Sequence, residues 1–198
     1  IRDRAQFDEY QIYLHGYSMG GRAALYYALH GHQTLEGLIL ESTSPGIADE
    51  EDRVSRKQVD EARAKVLEIA GLEVFVNDWE KLPLFASQAD KMTKEERKRH
   101  REMRLAQDPK GLAKALRDYG TGQMPNLWPE LSNLTLPVCF IVGERDEKFV
   151  EIAHKMKAAI EGSELHVVEE AGHTVHVEDA QQFDIIVLGF LNKEEQNG

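Results

Sequence analysis

Short apolar runs alternate with amphipathic stretches at both ends of this chain, and the middle has a different pattern. The runs near 11–15 (in YQIYLH), 37–41 (in LILE), 137–142 (in LPVCFIVG) and 165–168 (in SELHVVEEAG) are too short for helices. Apolar runs of this length between helical stretches predict parallel strands covered on both faces. Ala23–Leu29 reads as a helix with Gly31 as its stop, and FVEIAHKMKAAI and DAQQFDIIVLGFLN read as two more helices. The second strand ends in Ser42-Thr43-Ser44-Pro45-Gly46, a strong loop signal.

From about 48 to 131 no run reads as a strand. DEEDRVSRKQVDEARAKVLEIAG places Val59, Ala62, Val66, Leu67 and Ile69 at helical spacing and closes on Gly71. LEVFVNDWEKLPLF predicts a second helix that stops before Pro83. TKEERKRHREMRLAQDP predicts a third, with Thr93 as N-cap and Glu96 three residues on, and KGLAKALRDYG a fourth. The expected class is therefore α/β. Residues 1–47 form one part of a core sheet, 48–131 a helical insertion, and 132–198 the rest of the core. Only one strand precedes residue 16, so the sheet is expected to lack N-terminal strands and the chain to be a piece of a longer protein.

Composition narrows the function. The chain has 198 residues, 41% hydrophobic, with 35 acidic against 24 basic residues and a net charge of -11. That is enough for a real core. The charge argues against nonspecific binding to nucleic acid or to an anionic membrane. Cys139 stands alone in an apolar run, which predicts a buried, inert thiol, no disulfide and a cytoplasmic setting. No signal peptide or run of 18 apolar residues is present, although a chain that begins without methionine gives that absence little weight.

The candidate chemistry lies where the strands end. Gly16-Tyr17-Ser18-Met19-Gly20 fits G-x-S-x-G, in which a sharp strand-to-helix turn exposes the serine hydroxyl. The same turn directs the Met19 N–H toward a developing oxyanion. Asp146 follows the third strand in IVGERDEKF, with Glu144 as the alternative acid, and His173 follows the fourth in EEAGHTVHVE. Loops beyond the carboxyl ends of parallel strands are where such sites form. The order Ser, Asp, His is that of hydrolases built on this kind of sheet. His173 and His176 have no further ligand at metal-binding spacing, so no metal is expected, and no cofactor. His15 is expected to pack beneath the site.

The stretches GYSMGGR, LILESTSPGI, WEKLPLF, VGERDEKF and AGHTVHVE together resemble the 2-succinyl-6-hydroxy-2,4-cyclohexadiene-1-carboxylate (SHCHC) synthases of menaquinone biosynthesis, over nearly the whole chain. The resemblance implies an alpha/beta-hydrolase fold with a helical cap. It implies a lyase that removes pyruvate from the polycarboxylate SEPHCHC by 2,5-elimination, with Ser18, His173 and Asp146 abstracting a proton beside a carbonyl. By the same resemblance Arg22, Arg56 and Arg104 grip substrate carboxylates, a task suited to a forked guanidinium. The resemblance also implies that Tyr17 and Trp79 line the substrate cavity. The choice of Arg56 over Arg53, and of Arg104 over Arg101 or Arg97, rests on family register. One departure stands at the front. The early loop that supplies a second oxyanion donor in the family would precede residue 1, and losing one such donor costs about 3 kcal/mol. Expressed alone, the segment is expected to self-associate and to release little pyruvate. Two alternatives remain beside the lyase: a serine hydrolase of the same fold acting on a small ester or C–C bond, and an inactive fragment serving as a binding or assembly module.

Overall fold

The computed structural model describes residues 10–31 and 35–197. The parts of the first region at 1–9 and 32–34 lie outside the described residues. Four strands form one parallel sheet in the order β1 (Tyr13–Tyr17), β2 (Gly37–Glu41), β3 (Val138–Gly143) and β4 (Glu164–Val168). Helix α1 (Met19–His30) connects β1 to β2. Between β2 and β3 come α2 (Glu50–Ile69), α3 (Leu72–Trp79), α4 (Gln88–Lys91), α5 (Lys94–Leu105) and α6 (Pro109–Tyr119). Helix α7 (Glu147–Ala159) connects β3 to β4, and α8 (Val175–Glu178) and α9 (Ala180–Asn197) close the chain.

Every residue of β2 and β3 is buried, which is why both read as unbroken apolar runs. Successive side chains leave a strand on opposite faces. Leu38, Leu40, Val138, Phe140 and Val142 join Leu25, Met156 and Ile160 in one core cluster, on the side of α1 and α7. Ile39, Cys139 and Ile141 point the other way, into a second cluster with Ile186 and Phe190 of α9. Phe140, 1% exposed, is the largest fully buried side chain. Phe140→Ala is expected to cost about 3–5 kcal/mol of unfolding free energy, measured by urea denaturation. Cys139 is fully buried, and burial pushes its thiol up to about 12, so it is held protonated.

Helices α2 and α6 pack through a small core of their own, made of Ala64, Leu67 and Ala113 with Leu72, Phe75, Leu112 and Leu116 around it. The Thr93–Glu96 capping box forms at the start of α5. The helix expected to stop before Pro83 ends a few residues earlier. Helix α3 ends at Trp79, Leu82 is extended ahead of Pro83, and 83–85 make one 3₁₀ turn. Strand β1 starts at Tyr13 rather than near 11 and runs into the glycine motif as far as Tyr17. Helix α1 starts at Met19, four residues ahead of Ala23. Among the described residues β1 pairs with β2 alone, and no helix is long and apolar enough to cross a membrane.

Candidate active site

Ser18 joins β1 to α1 with φ 50° and ψ -112°, a backbone conformation that costs on the order of 1–3 kcal/mol in a non-glycine residue. Its surroundings hold it there. The Ser18 N–H donates to the Glu41 carbonyl (2.9 Å), and the Thr43 hydroxyl donates to the Ser18 carbonyl (2.7 Å). The glycines are needed for close approach. A Cβ at Gly16 would stand 2.6 Å from the Gly20 carbonyl oxygen, and one at Gly21 2.5 Å from Thr43 Cβ. Met19 is the first residue of α1, where backbone N–H groups have no acceptor within the helix.

Three side chains meet at this turn. His173 Nε2 lies 3.1 Å from Ser18 Oγ, and His173 Nδ1 lies 2.6 Å from Asp146 Oδ2. A carboxylate at Nδ1 requires the proton there, which leaves Nε2 free to accept the serine proton. His173 is 1% exposed and Asp146 8%. The imidazole is walled by the rings of Phe149 (4.8 Å), Tyr17 (5.4 Å) and Phe85 (6.3 Å). Asp146 stands just ahead of α7. Glu144, the alternative acid, instead accepts from the Glu170 N–H at 2.9 Å. The loop around His173 is strapped by Glu178, whose carboxylate accepts the N–H groups of both Gly172 (2.7 Å) and Thr174 (3.2 Å).

The cationic candidates fall into two groups. Arg22 is 9% exposed, donates weakly to the Tyr119 carbonyl (3.4 Å), and leaves Nε without a partner among the described residues. Burial and the nearby Arg56 guanidinium lower it to about 10. Arg56 Nε donates to buried Asp60 Oδ1 at 2.9 Å, and Arg63 Nη1 lies 3.8 Å from the same oxygen. Asp60 Oδ2 has no partner among the described residues. Arg56 and Arg63 thus share one buried carboxylate, and buried Arg22 close by leaves an excess of positive charge there.

Arg104 belongs to the second group. It pairs with Glu80 (2.9 Å) and lies over the Phe85 ring (5.4 Å), whose edge meets His173. Arg101 also pairs with Glu80 (2.7 Å) but reaches outward to Asn77. Arg97 is spent on the carbonyls of Ala89 and Met92, while Arg53 Nη1 meets Glu50 at 3.3 Å and its Nε is buried without a partner among the described residues. Trp79 sits between Phe75 (5.5 Å) and Phe85 (5.9 Å), with Arg63 over its ring at 5.3 Å. Tyr17 has its hydroxyl on Thr174 Oγ1 (3.0 Å), and burial pushes the phenol up. His15 lies against Glu41 and Phe183. The side chains of Cys139, Glu164 and His166 converge elsewhere, on β3 and β4. There the carboxylate is already paired with Lys193 (2.9 Å) and His166 (3.2 Å).

Comparison with known proteins decides the family. The model of the "Alpha/beta hydrolase family" matches residues 1–184. A solved structure described as MenH from S. aureus superposes with a TM-score of 0.95 at 55% identity, covering 97% of this chain and 72% of that one. The putative SHCHC synthase of Bacillus subtilis is 40% identical over 195 residues, 96% of this chain and 71% of its own length. The chain belongs to the alpha/beta hydrolase family, among its SHCHC synthases. It is also similar to the SHCHC synthase of Photorhabdus laumondii, at 31% identity, of which it spans 64%.

For a member of this family, several contacts at the site have no local signature. Phe85 bridges Arg104 to His173, and Gln88 of α4, 7% exposed, donates to Thr174 Oγ1 at 3.2 Å. Both residues lie beyond Pro83, in a 3₁₀ turn and a four-residue helix too short to show a periodicity. Asp60 and Arg63 were within reach of sequence reasoning, since Arg56, Asp60 and Arg63 fall at i, i+4 and i+7 of one helix face.

Proposed function

We propose that this chain, as part of the complete protein, carries out the SHCHC synthase reaction, the elimination of pyruvate from SEPHCHC. Residues 48–131 serve as the cap over the site, and 1–47 and 132–198 as the base that carries the proton relay. The observation that supports this reading is the combination of the Ser18–His173–Asp146 chain of hydrogen bonds with the excess of guanidinium charge at Arg22, Arg56 and Arg63. A neutral ester has no use for that charge, and a substrate with several carboxylates does. A reducing compartment suits the lone buried thiol, so we place the reaction in the cytoplasm.

Asp146 holds the imidazole with its proton on Nδ1 and stabilises the imidazolium that forms. His173 Nε2 takes the Ser18 proton as the serine oxygen removes the proton beside the substrate carbonyl. The electron pair left by the broken C–H bond shifts through the ring and expels the pyruvyl oxygen, so one C–H and one C–O bond break and no water is consumed. Negative charge collects on the carbonyl oxygen, where the Met19 N–H at the start of α1 stabilises it. Arg22, Arg56 and Arg104 hold carboxylates while Tyr17 and Trp79 wall the ring. The proton returns from the imidazolium to the released enolpyruvyl group.

Arg22→Lys tests the lyase against an ordinary esterase. The charge stays, but the fork that donates from two nitrogens is lost. The expected result is a rise of about 10- to 100-fold in KM for SEPHCHC, the equivalent of one charged hydrogen bond. Hydrolysis of a neutral aryl ester should change less than twofold, roughly the scatter expected of a substitution that ester does not touch. Equal KM for the polyanion in both proteins would remove the basis for choosing the lyase.

A further inference from the structure

Beside the proton relay lies a fully buried carboxylate that the mechanism above does not use. Glu41, the last residue of β2, is 0% exposed. Its Oε1 accepts the His176 backbone N–H (3.1 Å), and both of its oxygens lie 2.9 Å from His176 Nδ1. His15 Nε2 approaches Oε2 at 3.3 Å. An apolar side chain would fill this strand end without the cost of desolvating a charge. Burial pushes the Glu41 carboxyl up, but the hydrogen bonds from His15 and His176 outweigh it and hold the group below the usual carboxylate range. The same contact raises His176.

The position of this carboxylate ties it to both catalytic turns. The Glu41 main-chain carbonyl accepts the N–H of Ser18 at 2.9 Å. The Glu41 side chain grips His176 in the first turn of α8, three residues beyond His173. Tyr17 lies against both imidazoles, 5.4 Å from His173 and 5.0 Å from His176, and its hydroxyl holds Thr174 between them. A shift of α8 would therefore move the support of the base while leaving the base's own partner, Asp146, in place on another loop.

We infer that Glu41 is a positioning residue for the reaction, its carboxylate clamping α8 to the sheet through His176 and so holding His173 Nε2 on the serine oxygen. The inference rests on the proposed role of His173 as base. It concerns geometry within the relay, so its effect falls on kcat. The arginines that bind substrate stand on α1, α2 and α5 and do not touch the clamp.

The test compares four variants of the protein in pyruvate release from SEPHCHC, with folding followed by circular dichroism. Glu41→Leu removes both acceptor oxygens at similar volume. His176→Leu removes the side-chain donor and leaves the backbone N–H, and His176→Asn keeps a side-chain donor near the place of Nδ1. His173→Ala removes the base. The expected result is a loss in kcat of about 10- to 100-fold for Glu41→Leu and His176→Leu, the size of effect that a small misplacement produces, with KM within about twofold of wild type. His176→Asn is expected to recover most of the loss, which a role in packing alone would not predict. If Glu41→Leu fails to fold, the His176 pair decides. Unchanged kcat in His176→Leu, or equal loss in His176→Leu and His176→Asn, overturns the clamp. Full activity in His173→Ala would instead overturn the proposed function, and with it the ground on which the clamp stands.

Discussion

Replacing Ser18 by alanine is expected to lower kcat for pyruvate release by at least about 10³-fold while substrate still binds. The serine oxygen is the atom on which His173 Nε2 is centred, at 3.1 Å. Without it the imidazole has no group through which to reach the substrate. The rest of the site is independent of that oxygen. The His173–Asp146 contact, the Thr43 hydrogen bond to the Ser18 carbonyl and the arginines all remain. Alanine carries the same backbone burden at φ 50° as serine, so the turn should hold. Calorimetry should then give a dissociation constant for SEPHCHC within a few-fold of wild type. Turnover comparable to wild type would mean that the proton is taken by another group.

Asp146→Asn is the second large effect, an expected loss in kcat of about 10²- to 10⁴-fold with little change in melting temperature. The imidazole tautomer decides the effect. A carboxylate 2.6 Å from Nδ1 demands a proton on that nitrogen. An amide that turns its NH₂ group to the ring demands the reverse, and Nε2 then carries the proton it should be accepting. The backbone of Asp146 donates to the Gly143 carbonyl and accepts from Phe149 and Val150, and none of these bonds depends on the side chain. Glu144 is held by the Glu170 N–H and is not free to substitute. A kcat near wild type in a folded Asp146→Asn protein would remove the acid from the relay.

Different parts of this molecule differ in how readable they are from sequence, for physical reasons. β2 and β3 are buried on both faces, so their apolar runs are continuous and visible. Ser18, Asp146 and His173 each follow a strand within a short motif, and the contacts among them are what the coordinates add. The capping box at Thr93 and Glu96 is local and stands in four consecutive residues. Helices α4 and α8 are four residues each, less than the span over which helical periodicity can be counted. The start of α1 is obscured in the sequence by Gly20 and Gly21, both poor helix formers, of which only Gly21 is required by the close approach of Thr43. Glu41 and His176, 135 positions apart, meet only because β2 ends beside α8, and no spacing in the sequence announces that.

The arginines illustrate the same point within one helix. Arg97, Arg101 and Arg104 are equivalent in composition and near neighbours in sequence. The fold separates them. Arg97 caps backbone carbonyls, Arg101 joins Asn77 and Glu80, and Arg104 lies on the ring that meets the proposed base. Glu80 occupies Arg104 through a partly exposed ion pair. Pairs of that kind are worth about 1 kcal/mol or less, so a substrate carboxylate can displace one at small cost.

The central claim is that this site eliminates a pyruvyl group from a polyanion and does not hydrolyse esters. The most direct measurement is the stoichiometry of SEPHCHC turnover by the protein, with SHCHC followed by its diene absorbance and pyruvate by a coupled reductase, beside the rate on a neutral aryl ester. The account predicts pyruvate and SHCHC appearing together in equal amounts, with the ester consumed at least about 100-fold more slowly, the discrimination expected when buried charged groups are left unpaired. Rapid ester hydrolysis with no pyruvate released from SEPHCHC would contradict it.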